Sequence, residues 1–270
     1  MTDPEPVGAF AGATHVARRG EGRYAAVIAP GWDIADNANG GYLLAILGRA
    51  LCDATGRPDP VSLTGQFLSP AKAGPVTIST DLVKTGRRFT TATARLETTE
   101  RPLVVALGAF GDLDGAEGPV WSDREPPELP DPDDCTPVEP REPFPPPFMG
   151  KVELRLHPDD GGFAAGGRSG RPLMRGWFRL RGSEPLDPVA LLCAADAFPP
   201  TIFNADLPVA WTPTVELTVH VRARPAPGWL RCRFSTHFVS SGFVEEEGEL
   251  WDSRDRLVAQ SRQLALVPRA

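Results

Sequence analysis

"LTGQFLSPAKAGPV" at residues 63–76 and "LTVHVRARPAPGWL" at residues 217–230 align without a gap at an offset of 154. Each reads as a strand, a break containing proline, a glycine and the start of the next strand. The same offset lays "RPLVVALGAFG" (101–111) over "DRLVAQSRQLA" (255–265), and "GRYAA" (22–26) over "GWFRL" (176–180). Identities are few, Leu63/Leu217 and Thr64/Thr218 among them. Turns and strands that keep step over so long a stretch mark an internal repeat, so the chain holds two copies of one unit.

Each copy carries a helix followed by strands of period-two alternation. In the first, "NANGGYLLAILGRAL" (37–51) predicts a helix over 38–51, with strands over 61–68, 75–84, 89–98 and 102–110. In the second, "LDPVALLCAADAF" (186–198) predicts a helix of about four turns. Asp187 is its expected N-cap, Pro188 suits the first turn, and Pro199 with Pro200 stops it. Strands over 214–223, 229–239, 243–252 and 256–266 follow, the last two joined at "SRDR". These features divide the chain into a first repeat over 1–111, an acidic proline-rich segment over 112–150 and a second repeat over 151–270. Proline at that density excludes a helix or a central strand and predicts a semi-rigid extended crossover. "GGFAAGGRSG" (161–170) lacks the Gly-Lys-Ser/Thr ending of a phosphate loop and reads as a flexible hairpin loop.

The 270 residues are 41% hydrophobic, enough for one large core or two fused ones. A formal charge of −7, with no stripe of basic residues, argues against a nucleic-acid partner. No apolar run approaches a membrane span, and "MTDPEPVGAFAGATHVARRG" (1–20) has no secretory signal core. Cys52, Cys135, Cys193 and Cys232 have no C-x-x-C spacing, which speaks against a disulfide framework or a zinc site and fits a reducing cytoplasm. His15, His157, His220 and His237 have no ligand spacing either, so no metal is expected.

"NGGYLLAILGRAL", "SLTGQFLSPAKAGPVTI" followed by "KTGRRF", then "WTPTVELTVHV" and "GELWDSRDRLVAQSRQLAL" resemble the acyl-CoA thioesterase II type of thioesterase. That resemblance implies an α+β double hotdog, in which each repeat wraps an antiparallel sheet around a long helix. It also implies hydrolysis of an acyl-CoA thioester by an activated water, with coenzyme A entering only as part of the substrate and no separate cofactor. The family's water-activating Asp, Thr and Gln fall on Asp196 in "CAADAFPP", Thr214 in "TPTVEL" and Gln263 in "LVAQSRQLAL". Asp196 is notable in its own right, because a carboxylate among apolar neighbours needs partners. At offset 154 it lies over Tyr42, Thr214 over Pro60 and Gln263 over Ala109, so one working site per chain is expected.

Asn39, Gly40 and Gly41 stand at the mouth of the first helix, where free N–H groups can receive an oxyanion; tight packing is the alternative use of the glycines. Arg87 and Arg88 in "TGRRF" sit at a hairpin and are candidates for the phosphates of coenzyme A, with Arg222 and Arg224 as further ones. A serine-nucleophile Gly-x-Ser-x-Gly is absent, and no His follows Asp196 as a hotdog hydratase or dehydratase would require. A hotdog-fold enoyl-thioester hydratase or dehydratase, disfavoured by that missing His, and a non-catalytic acyl-thioester binding protein are the alternatives. Open sheet edges suggest a homodimer.

Overall fold

The computed structural model describes residues 9–115, 118–142 and 144–268. After α1 (Ala9–Ala13), the first repeat runs β1 (Val16–Gly20), β2 (Arg23–Ile28), a small hairpin of β3 (Asp33–Ile34) and β4 (Asn37–Ala38), and α2 (Gly40–Thr55). It closes with β5 (Asp59–Phe67), β6 (Gly74–Thr85), β7 (Thr90–Glu97) and β8 (Pro102–Gly111). The second half runs β9 (Thr136–Pro137), β10 (Val152–Leu156), β11 (Leu173–Leu180), α3 (Ala190–Ala194) and β12 (Thr214–Val221). It ends with β13 (Leu230–Ser235), β14 (Val239–Ser240), β15 (Phe243–Trp251) and β16 (Leu257–Leu266). Apart from the β3–β4 hairpin, all strands join one fourteen-stranded sheet ordered β1-β2-β6-β7-β8-β5-β12-β16-β15-β13-β11-β10-β9, with β14 attached to β15.

The two halves meet where β5 pairs antiparallel with β12, placing Thr64 opposite Thr218 with their hydroxyl oxygens 2.8 Å apart. These threonines are equivalents at offset 154, so the pseudo-two-fold axis passes between them. The repeat that is visible in the sequence is thus closed by a strand pair across its own axis. α2 packs against β5, β6, β7 and β8 and against α3. It begins at Gly40 because the Asn39 side chain accepts the Tyr42 N–H at 2.9 Å, and it ends at Gly56, whose φ of 63° suits glycine. Tyr42, Leu44, Leu47 and Leu51 on this helix are fully buried.

The second helix differs from expectation: only Ala190–Ala194 is α-helical. The Asp187 carboxylate takes the Ala190 N–H at 2.8 Å, as a capping residue should. Past α3, the Asp196 and Ala197 N–H groups bond to carbonyls three residues back, at 3.1 and 3.4 Å, before Pro199 and Pro200 end the turn. Asp196 therefore lies in an unwinding last turn and not inside a helix. The capping residues Asn39 and Asp187 are 148 positions apart, against 154 for the strands, so six residues enter the second copy between helix and β12. Asp196 is thereby the counterpart of Gly48, not of Tyr42. Helix contacts agree: a Cβ on Gly41 would lie 2.8 Å from Asp196 Cβ, and one on Gly48 3.6 Å from Val189 Cγ1.

The proline-rich segment, of which 116–117 and 143 lie outside the described residues, packs against the second half. β9 pairs with β10 at the end of the sheet, Trp177 donates to the Pro130 carbonyl at 2.8 Å, and the turn at Pro147–Gly150 buries Phe148 and Met149. The 161–170 loop does join the paired strands β10 and β11, but it contains a 3-10 turn at Gly162–Ala165 that buries Phe163.

Candidate active site

The turn after α3 aims the Asp196 carboxylate at the mouth of α2. Asp196 Oδ2 accepts the Gly41 N–H and the Asn39 side-chain amide, each at 2.9 Å, and the same amide donates to the Asp196 carbonyl at 2.7 Å. Asn39 thus caps α2 with its oxygen and holds Asp196 with its nitrogen. From the other repeat face, Gln263 on β16 donates its amide to Asp196 Oδ1 at 3.4 Å and also to Thr214 Oγ1 at the start of β12. Asp196, Thr214 and Gln263 are therefore one connected group, as are Asn39 and Gly41 with it. Since Gln263 donates to Thr214, the hydroxyl hydrogen of Thr214 is left to point elsewhere.

Burial pushes the Asp196 carboxyl up to about 6, against the pull of the Gly41 and Gly40 N–H groups, Gln263 and Asn39. Those donors and the positive end of α2 favour the anion, but desolvation outweighs them. The outcome is a carboxylate ionised at neutral pH yet more basic than an exposed one.

The α2 N-terminus departs from its expected use. The Gly41 N–H is spent on Asp196, and a Cβ at Gly41 would come 2.6 Å from the Leu192 carbonyl oxygen, so that glycine is a packing requirement between the helices. Gly40 is equally close-set: its Cβ would lie 2.9 Å from the Phe67 ring and 3.0 Å from Asp196 Oδ2. The helix mouth receives the chain's own carboxylate, not an open oxyanion position.

A cavity of about 670 Å³ opens beside this group, lined by Asn39, Gly40, Asp196, Thr214 and Gln263. Its remaining walls are mostly apolar, with Phe163, Phe198 and Phe203 among them. Two charged residues in the lining escaped sequence reasoning. Glu246 lies opposite Gln263 on the β15–β16 ladder and accepts the Thr201 N–H at 2.8 Å; burial pushes it up to about 7. Arg168 belongs to the 161–170 loop and donates to the Ala205 carbonyl at 3.3 Å. Its place in a glycine-rich loop facing a site was a usable signal; Glu246, inside the run "VEEEGEL", reads as an ordinary solvated strand residue.

Arg87 and Arg88 are outside the cavity lining. Arg57 donates to the Gly86 and Arg87 carbonyls of their hairpin, and the Arg88 guanidinium lies over the Phe89 ring. Arg224 is paired with the buried Asp59 at 2.6 Å and Arg222 with Gln260 at 2.8 Å, so neither faces the site. Among the described residues, no group of three or more His, Cys, Asp or Glu side chains is set to hold a metal ion, and no helix is long and apolar enough to cross a membrane.

The sequence models of the N-terminal and C-terminal acyl-CoA thioesterase domains match residues 28–111 and 132–267. The chain belongs to the acyl-CoA thioesterase family. It is a thioester hydrolase with the α+β double-hotdog fold. An uncharacterized protein of Mycobacterium tuberculosis is 32% identical to the thioesterase over 262 residues, 88% of each chain. A provisionally named thioesterase II from Thermobifida fusca is 37% identical, with a TM-score of 0.88 over 98% of this chain and 99% of that one. A hot dog protein of unknown function from Alicyclobacillus acidocaldarius shares the fold, with a TM-score of 0.86 at 24% identity over 98% and 99% of the two chains. In this thioesterase the cavity lies between elements of both repeats, α2 from the first and β12, β15 and β16 from the second.

Proposed function

We propose that this thioesterase hydrolyses acyl-CoA with a water activated by Asp196 and positioned by Thr214 and Gln263. One observation carries the reading: a carboxylate pushed up to about 6 is tied through one glutamine amide to a hydroxyl, at the wall of a largely apolar cavity. Gln263 fixes both groups, and the hydrogen of Thr214 is free to hold the water. Asp196 takes a proton from the water as its oxygen attacks the thioester carbon. Negative charge then moves from Asp196 to the carbonyl oxygen, while the positive end of α2 beside Asp196 stays in place and is no longer neutralised by it. Collapse of the tetrahedral intermediate breaks the C–S bond, and the thiolate leaves with the proton that Asp196 carried. The scheme uses water as its second substrate and no cofactor.

The test is thiol release from a panel of acyl-CoA esters, read with a thiol reagent. The wild type should release coenzyme A and Asp196→Asn should be slower by a factor of about 10² or more. Saturable binding without release would refute hydrolysis at this site. We extend the proposal to a homodimer joined along the outer edges of the sheet and working in the cytoplasm, which size-exclusion chromatography and cell fractionation test.

A further inference from the structure

Glu246 is the cavity carboxylate that hydrolysis does not use. It faces Gln263 directly across β15–β16, and side chains so opposed stand about 5 Å apart on one face of a sheet. Thr201 engages Glu246 through its N–H, 2.8 Å from Oε2, and through its hydroxyl. Ile202, Phe203 and Val244 line the same cavity, so the surroundings are apolar. The charged groups acting here are Asp196 and Glu245, both negative, with Arg168 elsewhere in the lining. A carboxylate has more acceptor positions than Thr201 fills, and a plain alkyl chain in this space would strip water from the rest and return no hydrogen bond, which is costly.

We infer that Glu246 is a specificity-determining residue that selects acyl-CoA esters carrying a hydroxyl within a few carbons of the thioester carbonyl. The inference rests on the hydrolase reading above, because Gln263 touches Asp196 and so places Glu246 one side chain beyond the reacting carbon. A hydroxyl suits it better than an ammonium. With Glu246 pushed up to about 7, both its forms are populated at neutral pH, and a hydroxyl donates to the carboxylate and accepts from the acid. An ammonium serves only the carboxylate and must itself be dehydrated in an apolar cavity. A site built to bond a hydroxyl rejects the analogue lacking it far more strongly than an apolar pocket separates two chain lengths.

The test compares kcat/KM for 3-hydroxyhexanoyl-CoA and hexanoyl-CoA in the wild type, Glu246→Gln and Glu246→Leu. The wild type should prefer the hydroxylated ester by about tenfold or more. Glu246→Leu should erase the preference by lowering the first rate and raising the second. Glu246→Gln keeps an oxygen for Thr201 N–H and should retain part of it. Equal kcat/KM for the two esters in the wild type would overturn the inference. So would a loss in Glu246→Leu that is the same for both, since that marks a structural role. Hydrolysis of neither ester by the wild type would overturn the hydrolase reading itself, and the inference with it.

Discussion

As the proposed base, Asp196 should tie activity and stability to pH in opposite directions. Its carboxyl moves from an ordinary 3.8 to about 6 on folding, chiefly by desolvation. As a base it must be ionised, so the rate should climb with pH to a plateau near 8. At pH 5 only about a tenth of the enzyme carries the anion, whereas a carboxylate at 3.8 would be more than nine-tenths ionised there. Stability runs the other way. The folded state holds this proton more tightly than the unfolded chain, so it binds more protons between pH 3.8 and 6 and loses stability as pH rises through that window. At 1.36 kcal/mol per pH unit the ceiling is about 3 kcal/mol. Asp196→Asn carries no such cost, and its stability relative to the wild type should rise by up to that amount between pH 4 and pH 8. Urea unfolding of both proteins at several pH values, each in a Glu246→Gln background because the charge of Asp196 acts on Glu246, measures the difference. Initial rates of thiol release in a Glu246→Gln background isolate the kinetic arm. A rate at pH 5 above half of the plateau, or a stability difference that does not move with pH, would refute the reasoning.

Three further outcomes follow from single contacts. Gln263→Leu removes the amide that joins Asp196 to Thr214, and kcat should fall by about 10² with the melting temperature little changed, as read by thiol release and thermal unfolding. Gly41→Ala puts a methyl 2.6 Å from the Leu192 carbonyl; overpacking of that kind costs about 1–3 kcal/mol, measurable by urea unfolding. The double change Arg87→Ala, Arg88→Ala should leave KM for acyl-CoA unaltered, because that hairpin is outside the cavity lining, whereas a several-fold rise in KM would return those arginines to the substrate path.

The identity of the three polar groups and the twofold plan were legible because both are local. Period-two runs and their turns repeat along the chain whatever surrounds them, and an acid flanked by alanines announces a need for partners without saying where they come from. The second helix was misread for the same reason: composition supports about four turns of "LDPVALLCAADAF", but packing against Gly41 and Gly48 and the i−3 bonds after α3 leave five α-helical residues. That the Gly41 N–H is taken by Asp196 rests on a contact between residues 155 apart, which no local pattern encodes.

The sequence by itself determined that one unit is used twice, that the two copies differ at the polar positions, and that an aspartate, a threonine and a glutamine all belong to the second. Only the tertiary structure decided that α2 of the first copy caps that aspartate, and that Glu246 joins the cavity. That Glu246 stands opposite Gln263 turns on an irregularity between Leu250 and Trp251, where Val258 of β16 is an extra residue. Without that extra residue Gln263 would oppose Glu245 and stand on the face of the sheet away from Glu246, because strand side chains alternate between faces. Such a step costs little in any one residue's preference, so the amino-acid order leaves no mark of it, yet it settles which acid stands opposite Gln263.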